Sequence, residues 1–346
     1  MRRFDYSFLK DKHSNNILRL SAVISDAHAR QEFRKLQYHD VFENIREKAI
    51  IDSTIGSNAI EGIITSEKRL KQISKQDVDL SHDEKEILGY KEALELIHNN
   101  HFELDVDEKL IKQLHYLIEK DVDPENAGQY KKTNNYIMEF HTDGSRSIRF
   151  VPIDKDEVPK AIEQMLYAYY SARQDAEIDS LLLCFCVVLD FLCIHPFTDG
   201  NGRVSRLLMM QLLYLAGFDI GRYISIEKRI DEYKEDYYQS LQTSSKLWHE
   251  NENDYSAFLI FSLQILYRCY KDLNDSLGEI SLKKAKKNER IQMVIENSII
   301  PLSKTQIQEK LPDVSIRTIE AQLRKMLEAK TIRKIGTYKD ARYIKI

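Results

Sequence analysis

Apolar residues recur three and four positions apart along most of the chain up to about residue 280. This spacing predicts helices over 17–47, 52–60, 81–99, 107–120, 156–172, 206–216, 231–247 and 255–277. Ser81 followed by Glu84 reads as a capping box, and acidic residues with Pro159 open the 156–172 segment. Leu110, Ile111, Leu114, Leu117 and Ile118 share one face of 107–120, and the helical pattern breaks near Gly62. One stretch changes period. Residues 135–140 and 148–151 are β-branched and aromatic on either side of Asp143-Gly144, which predicts a β-hairpin that must lean on the helices. After the basic run at 283–287 the pattern becomes helix 288–297, helix 303–311, a turn at Pro312-Asp313-Val314, and helix 315–330. A second hairpin then pairs 331–335 with 341–346 around 336–340. That order reads as a winged helix-turn-helix.

Composition narrows the class. Glycine and proline number only 11 and 6 among 346 residues, too few turn formers for an all-β sandwich or barrel. Hydrophobic residues make up 42%, which excludes a disordered chain. The expectation is a mainly α protein of two or three domains in which each glycine has a reason. The net charge of −4 hides an asymmetry: residues 283–346 hold 16 Lys/Arg against 7 Asp/Glu, which leaves the first 282 residues at −13. Two bodies of opposite charge follow. Cys184, Cys186, Cys193 and Cys269 have no C-x-x-C spacing and read as buried thiols in a reducing compartment. The start, Met1-Arg2-Arg3-Phe4-Asp5, lacks the apolar stretch of a signal peptide. The segment 181–194 is apolar at 13 of 14 positions, too short for a bilayer, and contains Asp190. A cytoplasmic protein with a buried core helix and no membrane contact is expected.

Chemistry concentrates just after that helix. Between Ile194 and Arg206 lie His195, Phe197, Asp199, Gly200, Asn201, Gly202, Arg203 and Arg206. Gly200, Asn201 and Gly202 can adopt positive φ and turn successive N–H groups inward as an anion nest. A helix N-terminus then points at the same place, which favours phosphate. Arg203 and Arg206, three apart, would project from one face near it, with forks that match phosphate oxygens. Asp199 could hold Mg²⁺, which takes few carboxylates. His195 is a candidate general base.

The string Ile194–Arg206 resembles the Fic motif, H-x-F-x-(D/E)-G-N-G-R-x-x-R, at every specified position. Gly128-Gln129-Tyr130-Lys131, the first hairpin and Phe150-Val151-Pro152 are similar to the lead-in and flap of that family, with Lys131 where many members have Arg. The resemblance implies a Fic-type helical bundle with a β-hairpin flap; together with the C-terminal pattern, the expected bounds are 1–100 for an N-terminal helical region, 101–280 for a catalytic core and 281–346 for the winged helix. It implies transfer of AMP from ATP to a Ser, Thr or Tyr hydroxyl of a target protein or of the chain itself. His195 would deprotonate the hydroxyl, and Asp199 would hold Mg²⁺ between the α- and β-phosphates. Gly200, Asn201 and Gly202 would cradle phosphates, Arg203 would bind the β-phosphate and Arg206 the γ-phosphate. Tyr233 or Tyr237 would face the base or ribose, or pack in an aromatic core.

Ser57-Asn58-Ala59-Ile60-Glu61-Gly62 resembles the family's inhibitory pattern, (S/T)-x-x-x-E-(G/N), on a helix of about 52–62. Glu61 would pair with Arg206 and deny that fork to the γ-phosphate, with Ser57 steadying it one helical turn earlier. In some relatives the equivalent Glu positions a water that removes AMP, so a reverse reaction stays open, as does self-association. The basic C-terminal segment supports a second reading, a DNA-binding regulator whose Fic core senses nucleotide. Arg317, Gln322, Arg324 and Lys325 would lie on or near a recognition helix, with Arg333, Lys334 and Lys339 at the wing. Protein docking through the same face is the alternative.

Overall fold

A computed structural model describes residues 2–345 except 12, 76–78, 141–144, 285–286, 297, 299 and 337–340. The chain divides into two compact units, Met1–Leu273 and Asn274–Ile346.

The first unit opens with α1 (Asn15–Gln37) and α2 (His39–Ile60), then α3 (Glu67–Ile73), α4 (His82–Asn100) and α5 (Glu108–Glu119). The hairpin β1 (Ile137–Phe140) and β2 (Arg146–Phe150) follows, then α6 (Val158–Arg173), α7 (Ser180–Ile194), α8 (Asn201–Leu215), α9 (Ile226–Glu232), α10 (Lys234–Ser244) and the greater part of α11 (Ser256–Lys284), which runs past the division after Leu273. The expected capping box of Ser81 and Glu84 is present, and Asp107 caps α5 through Leu110 N–H. The strands pair antiparallel, Met138 opposite Ile148, while the expected Asp143-Gly144 turn lies outside the described residues.

Two predicted helices are divided differently. The 17–47 segment breaks at Tyr38, where φ −126° and ψ 38° end α1, and α2 runs from there through to Ile60. Tyr38 is neither Gly nor Pro, so spacing alone carries no sign of this break. The 231–247 segment breaks at Tyr233 and is preceded by α9, whose start is capped by Ser225 through Lys228 N–H. Helix α3, which the spacing does not predict, begins where Ser66 accepts from Arg69 N–H.

Helix α7 is the buried axis of this unit and packs between α6 and α8. Its one charged residue, Asp190, is fully buried and held by a dense set of donors: Trp248 Nε1 at 2.6 Å, Tyr6 hydroxyl at 2.8 Å, Tyr255 hydroxyl at 2.9 Å and Arg2 Nη2 at 3.3 Å. These partners make a carboxylate tolerable inside an otherwise apolar helix. The four cysteines are buried free thiols. No helix among the described residues is long and apolar enough to cross a membrane.

The second unit holds α12 (Lys287–Glu296), β3 (Leu302–Ser303), α13 (Lys304–Lys310), α14 (Ile316–Glu328), β4 (Ile332–Ile335) and β5 (Arg342–Lys345). The strands form one antiparallel sheet in the order β3-β5-β4, and β3 is an addition to the expected hairpin, pairing Leu302 with Tyr343. Ile295, Ile307, Ile319, Leu323 and Ile332 are packed in its own core.

Helix α2 reaches the centre of the first unit by lying close along α9. Gly56 permits this: a Cβ there would sit 2.6 Å from the backbone nitrogen of Lys228. Gly56→Ala should therefore lower stability by about 1–3 kcal/mol as overpacking forces the helices apart. Urea unfolding checks this, and an unchanged midpoint contradicts it.

Candidate active site

The loop that joins α7 to α8 is held from several sides. His195 ends α7 in the left-handed region, φ 50°, its N–H still bonded to Phe191 O at 2.9 Å. Few non-glycine residues adopt that conformation without support. Phe197 is fully buried and stacks on the His115 ring, centroids 3.8 Å apart and planes within 4°. The side chain of Asn201 brackets the Phe197 backbone, accepting its N–H at 2.9 Å and donating to its carbonyl at 2.8 Å. Asn135 donates to the same carbonyl at 3.0 Å and accepts from Lys131 Nζ, while Lys131 N–H reaches Pro196 O. Burial lowers the Lys131 ammonium to about 8.

His115, which spacing presents as one more position on the buried side of α5, is a second fastener. Its Nδ1 accepts from Gly128 N–H at 2.9 Å, so Nε2 carries the proton and donates to Asp199 O at 3.2 Å. Burial keeps this ring neutral, its titration pushed down to about 4. The only hint in the sequence is a polar residue interrupting an apolar stripe.

The expected three-residue nest is corrected. Only Gly200 has positive φ, 73°, while Asn201 and Gly202 already belong to α8. The donors at this point are the first N–H groups of a helix, which have no intrahelical acceptor. A side chain at Gly200 would crowd Glu119 Oε1 at 3.0 Å and the His115 ring at 3.3 Å. Asp199 is exposed, with one oxygen accepting Gly200 N–H at 2.6 Å.

The two arginines do not share a face as expected. Arg203 is buried against carboxylates of α4 and α5: it pairs with Glu86 and reaches Glu119 Oε1 at 3.3 Å. Burial raises Glu119 to about 7 despite this cation. Arg206 is turned to α2 instead. Its Nε donates to Ser57 Oγ at 2.8 Å, and its Nη2 donates to Ser57 O at 3.0 Å and Glu61 Oε1 at 2.8 Å. Glu61 is the C-cap of α2 rather than a residue inside a 52–62 helix. It fits there because Gly202 has no side chain: a Cβ would lie 2.3 Å from its oxygen.

A cavity of about 650 Å³ opens beside these groups, within the range of small-molecule sites. Its wall includes His195, Gly202, Arg206 and Glu61, with Met138 and Arg149 from the hairpin and Tyr237 and Tyr238 from α10. Asp199, Gly200, Asn201 and Arg203 are not lining residues. Of the two tyrosines proposed for a base or ribose, Tyr237 is in the wall and interacts with Arg206. Tyr233 is not in the wall and lies under the Arg268 guanidinium, 4.5 Å from its ring centre. The His195 ring nitrogen Nδ1 faces Leu192 O at 3.2 Å, an acceptor, so Nδ1 bears the proton and Nε2 the lone pair.

A helical bundle with a hairpin beside such a loop defines a class, and residues 105–213 match the Fic/DOC family. The chain carries a Fic domain. Among curated proteins it is similar to "Protein adenylyltransferase fic-1" of Caenorhabditis elegans, 24% identical over 225 residues that span 62% of this chain and 41% of that one. "Protein adenylyltransferase Fic" of Culex quinquefasciatus is 30% identical over 224 residues, 62% of this chain and 40% of the relative. The chain thus spans about two fifths of the length of these relatives. Among solved structures, a Fic family protein from Desulfovibrio desulfuricans G20 superposes with a TM-score of 0.64 at 18% identity, over 97% of both chains. Fic-1 from C. elegans superposes at 0.60 with 18% identity, over 76% of this chain and 73% of that one. These two likenesses concern the fold.

Burial pushes the His195 imidazole down to about 4. Its charged form should therefore be absent from pH 6 to pH 8, the depressed direction expected of a desolvated base. Ring NMR titration of the full chain against His195→Ala checks this, and a His195 midpoint near the ordinary value of about 6.5 contradicts it.

Proposed function

We propose that the chain transfers AMP from ATP to a Ser, Thr or Tyr hydroxyl of a target protein or of itself. The observation that carries this reading is the position of His195, its Nδ1 against Leu192 O and its ring in the wall of a cavity shared with Arg206. The adenylyltransferase names of the similar proteins support it. The target hydroxyl oxygen forms a bond to the α-phosphorus, the bond to the β-phosphate bridging oxygen breaks, and pyrophosphate departs. His195 Nε2 takes the hydroxyl proton. The N–H groups at the start of α8 receive phosphate oxygens, Arg206 grips the triphosphate, and Tyr237 walls the nucleotide side. Mg²⁺ fits the donor chemistry of Asp199, an exposed single carboxylate with phosphate and water to complete the shell. Bound there, the ion would offset charge on the α- and β-phosphates. The four buried free thiols support a cytoplasmic setting.

Glu61 is a brake in this reading. It occupies the fork of Arg206 that the γ-phosphate needs, and Ser57 holds the rest of that guanidinium in place. Self-association could modulate this brake, and Glu61 could also position water for AMP removal. Glu61→Gly should raise labelling by α-³²P ATP with Mg²⁺ by about tenfold or more, the scale of one charge-assisted pair. Adding His195→Ala should remove that labelling by a factor of about 10²–10⁴. Unchanged labelling in the first variant contradicts the brake, and persistence in the second contradicts the mechanism.

A second reading concerns residues 274–346. Three helices and the β3-β5-β4 sheet support the winged-helix assignment. Arg317, Arg324 and Lys325 are exposed on α14, Gln322 is half-buried there, and Arg333 and Lys334 are exposed on β4; Lys339 lies outside the described residues. Such a basic face suits duplex DNA. The full chain should retard a mixed-sequence duplex in low salt, with affinity falling steeply as salt rises and weakened by the double change Arg317→Ala, Arg324→Ala. No retardation at low salt would assign the face to protein docking instead.

A further inference from the structure

Two cations line the cavity, Arg206 and Arg149. Arg206 already has Ser57 and Glu61, and Arg203, the other motif arginine, is engaged by Glu86 and Glu119. Arg149, on β2, is half-buried and has no ion pair among the described residues. Its guanidinium lies over the ring of Tyr238, 5.7 Å from the centroid, and that hydroxyl donates to Ile60 O at 3.3 Å. Ile60 precedes Glu61, so Tyr238 links Arg149 to the segment that carries Glu61, and both residues share the cavity wall. The carboxylates that share the wall are Glu61, on Arg206; Glu139, which accepts from Gln242 at 3.3 Å; and Glu235. A partly desolvated guanidinium facing an open cavity without a counterion is poised for an anion, and its planar fork matches phosphate.

We propose that Arg149 is a second triphosphate-binding guanidinium of this cavity, in the position that the motif resemblance gives to Arg203. The inference rests on the adenylyl-transfer reading for the nature of the ligand, and it assigns to the hairpin a role in holding nucleotide. The Tyr238 ring beneath the Arg149 guanidinium orients that group, so phosphate would meet a fork already aligned rather than one recruited from solvent.

Calorimetric titration of the full chain carrying Glu61→Gly tests this with three probes: ATP, tripolyphosphate and adenosine. Arg149→Met, which keeps an unbranched apolar side chain of similar length and removes the charge, should weaken ATP and tripolyphosphate by about tenfold or more and leave adenosine within about twofold. Arg149→Lys should fall between, since it keeps the charge and loses the fork. Unchanged ATP and tripolyphosphate affinities overturn the assignment, and so does an equal loss for adenosine, which would indicate a structural role. The two readings fail separately. Transfer activity with no Arg149 effect on binding refutes only this inference. Absence of AMP labelling beside Arg149-dependent tripolyphosphate binding refutes only the transfer reading.

Discussion

Arg206 is a guanidinium with 2% of its side chain exposed, and the arrangement around it follows from that fact. A buried guanidinium must have its donors met or it destabilises the fold by several kcal/mol. Here Ser57 meets two of them and Glu61 a third, so the end of α2 is tied to the first turns of α8. Two glycines make the tie possible. Gly56 lets α2 lie against α9, and Gly202 leaves room for the Glu61 carboxylate. An exchangeable anion on this cation is also the basis of the proposed brake. Ser57 would keep the guanidinium in place when Glu61 leaves, while a triphosphate replaces only the carboxylate.

The loop below is rigid for a different reason. Asn201, Asn135 and His115 hold the backbone of Phe197 and Asp199, while the Phe197 ring is stacked in the core. Catalytic groups positioned by such bonds need little reorganisation when a ligand binds. It follows that Asn201 spends its side chain on the loop and has only its N–H to offer an anion.

Much of the fold was legible in apolar patterning, because helices α4 to α6 bury regular stripes, α7 is one continuous apolar run, and caps such as Ser81 and Asp107 mark the starts. The break at Tyr38 was not, because no Gly or Pro marks it. The motif was legible as a string, yet its arginines were misplaced as a pair. Spacing along α8 says which face a residue starts from but nothing of Glu86 and Glu119, brought in by helices about a hundred residues earlier. Arg149 was invisible for the same reason, and His115 showed only as a polar residue interrupting an apolar stripe, because the partners of both are distant in sequence.

In the proposed mechanism Arg206 exchanges Glu61 for a triphosphate next to His195. A crystal structure of the Glu61→Gly chain with an ATP analogue carrying a non-cleavable α,β-bridge tests it most directly. Phosphate oxygens should lie on the Arg206 fork, with Ser57 still bonded to its Nε and the α-phosphorus facing His195 Nε2. A nucleotide bound elsewhere, or seated in the cavity without touching Arg206, would contradict it.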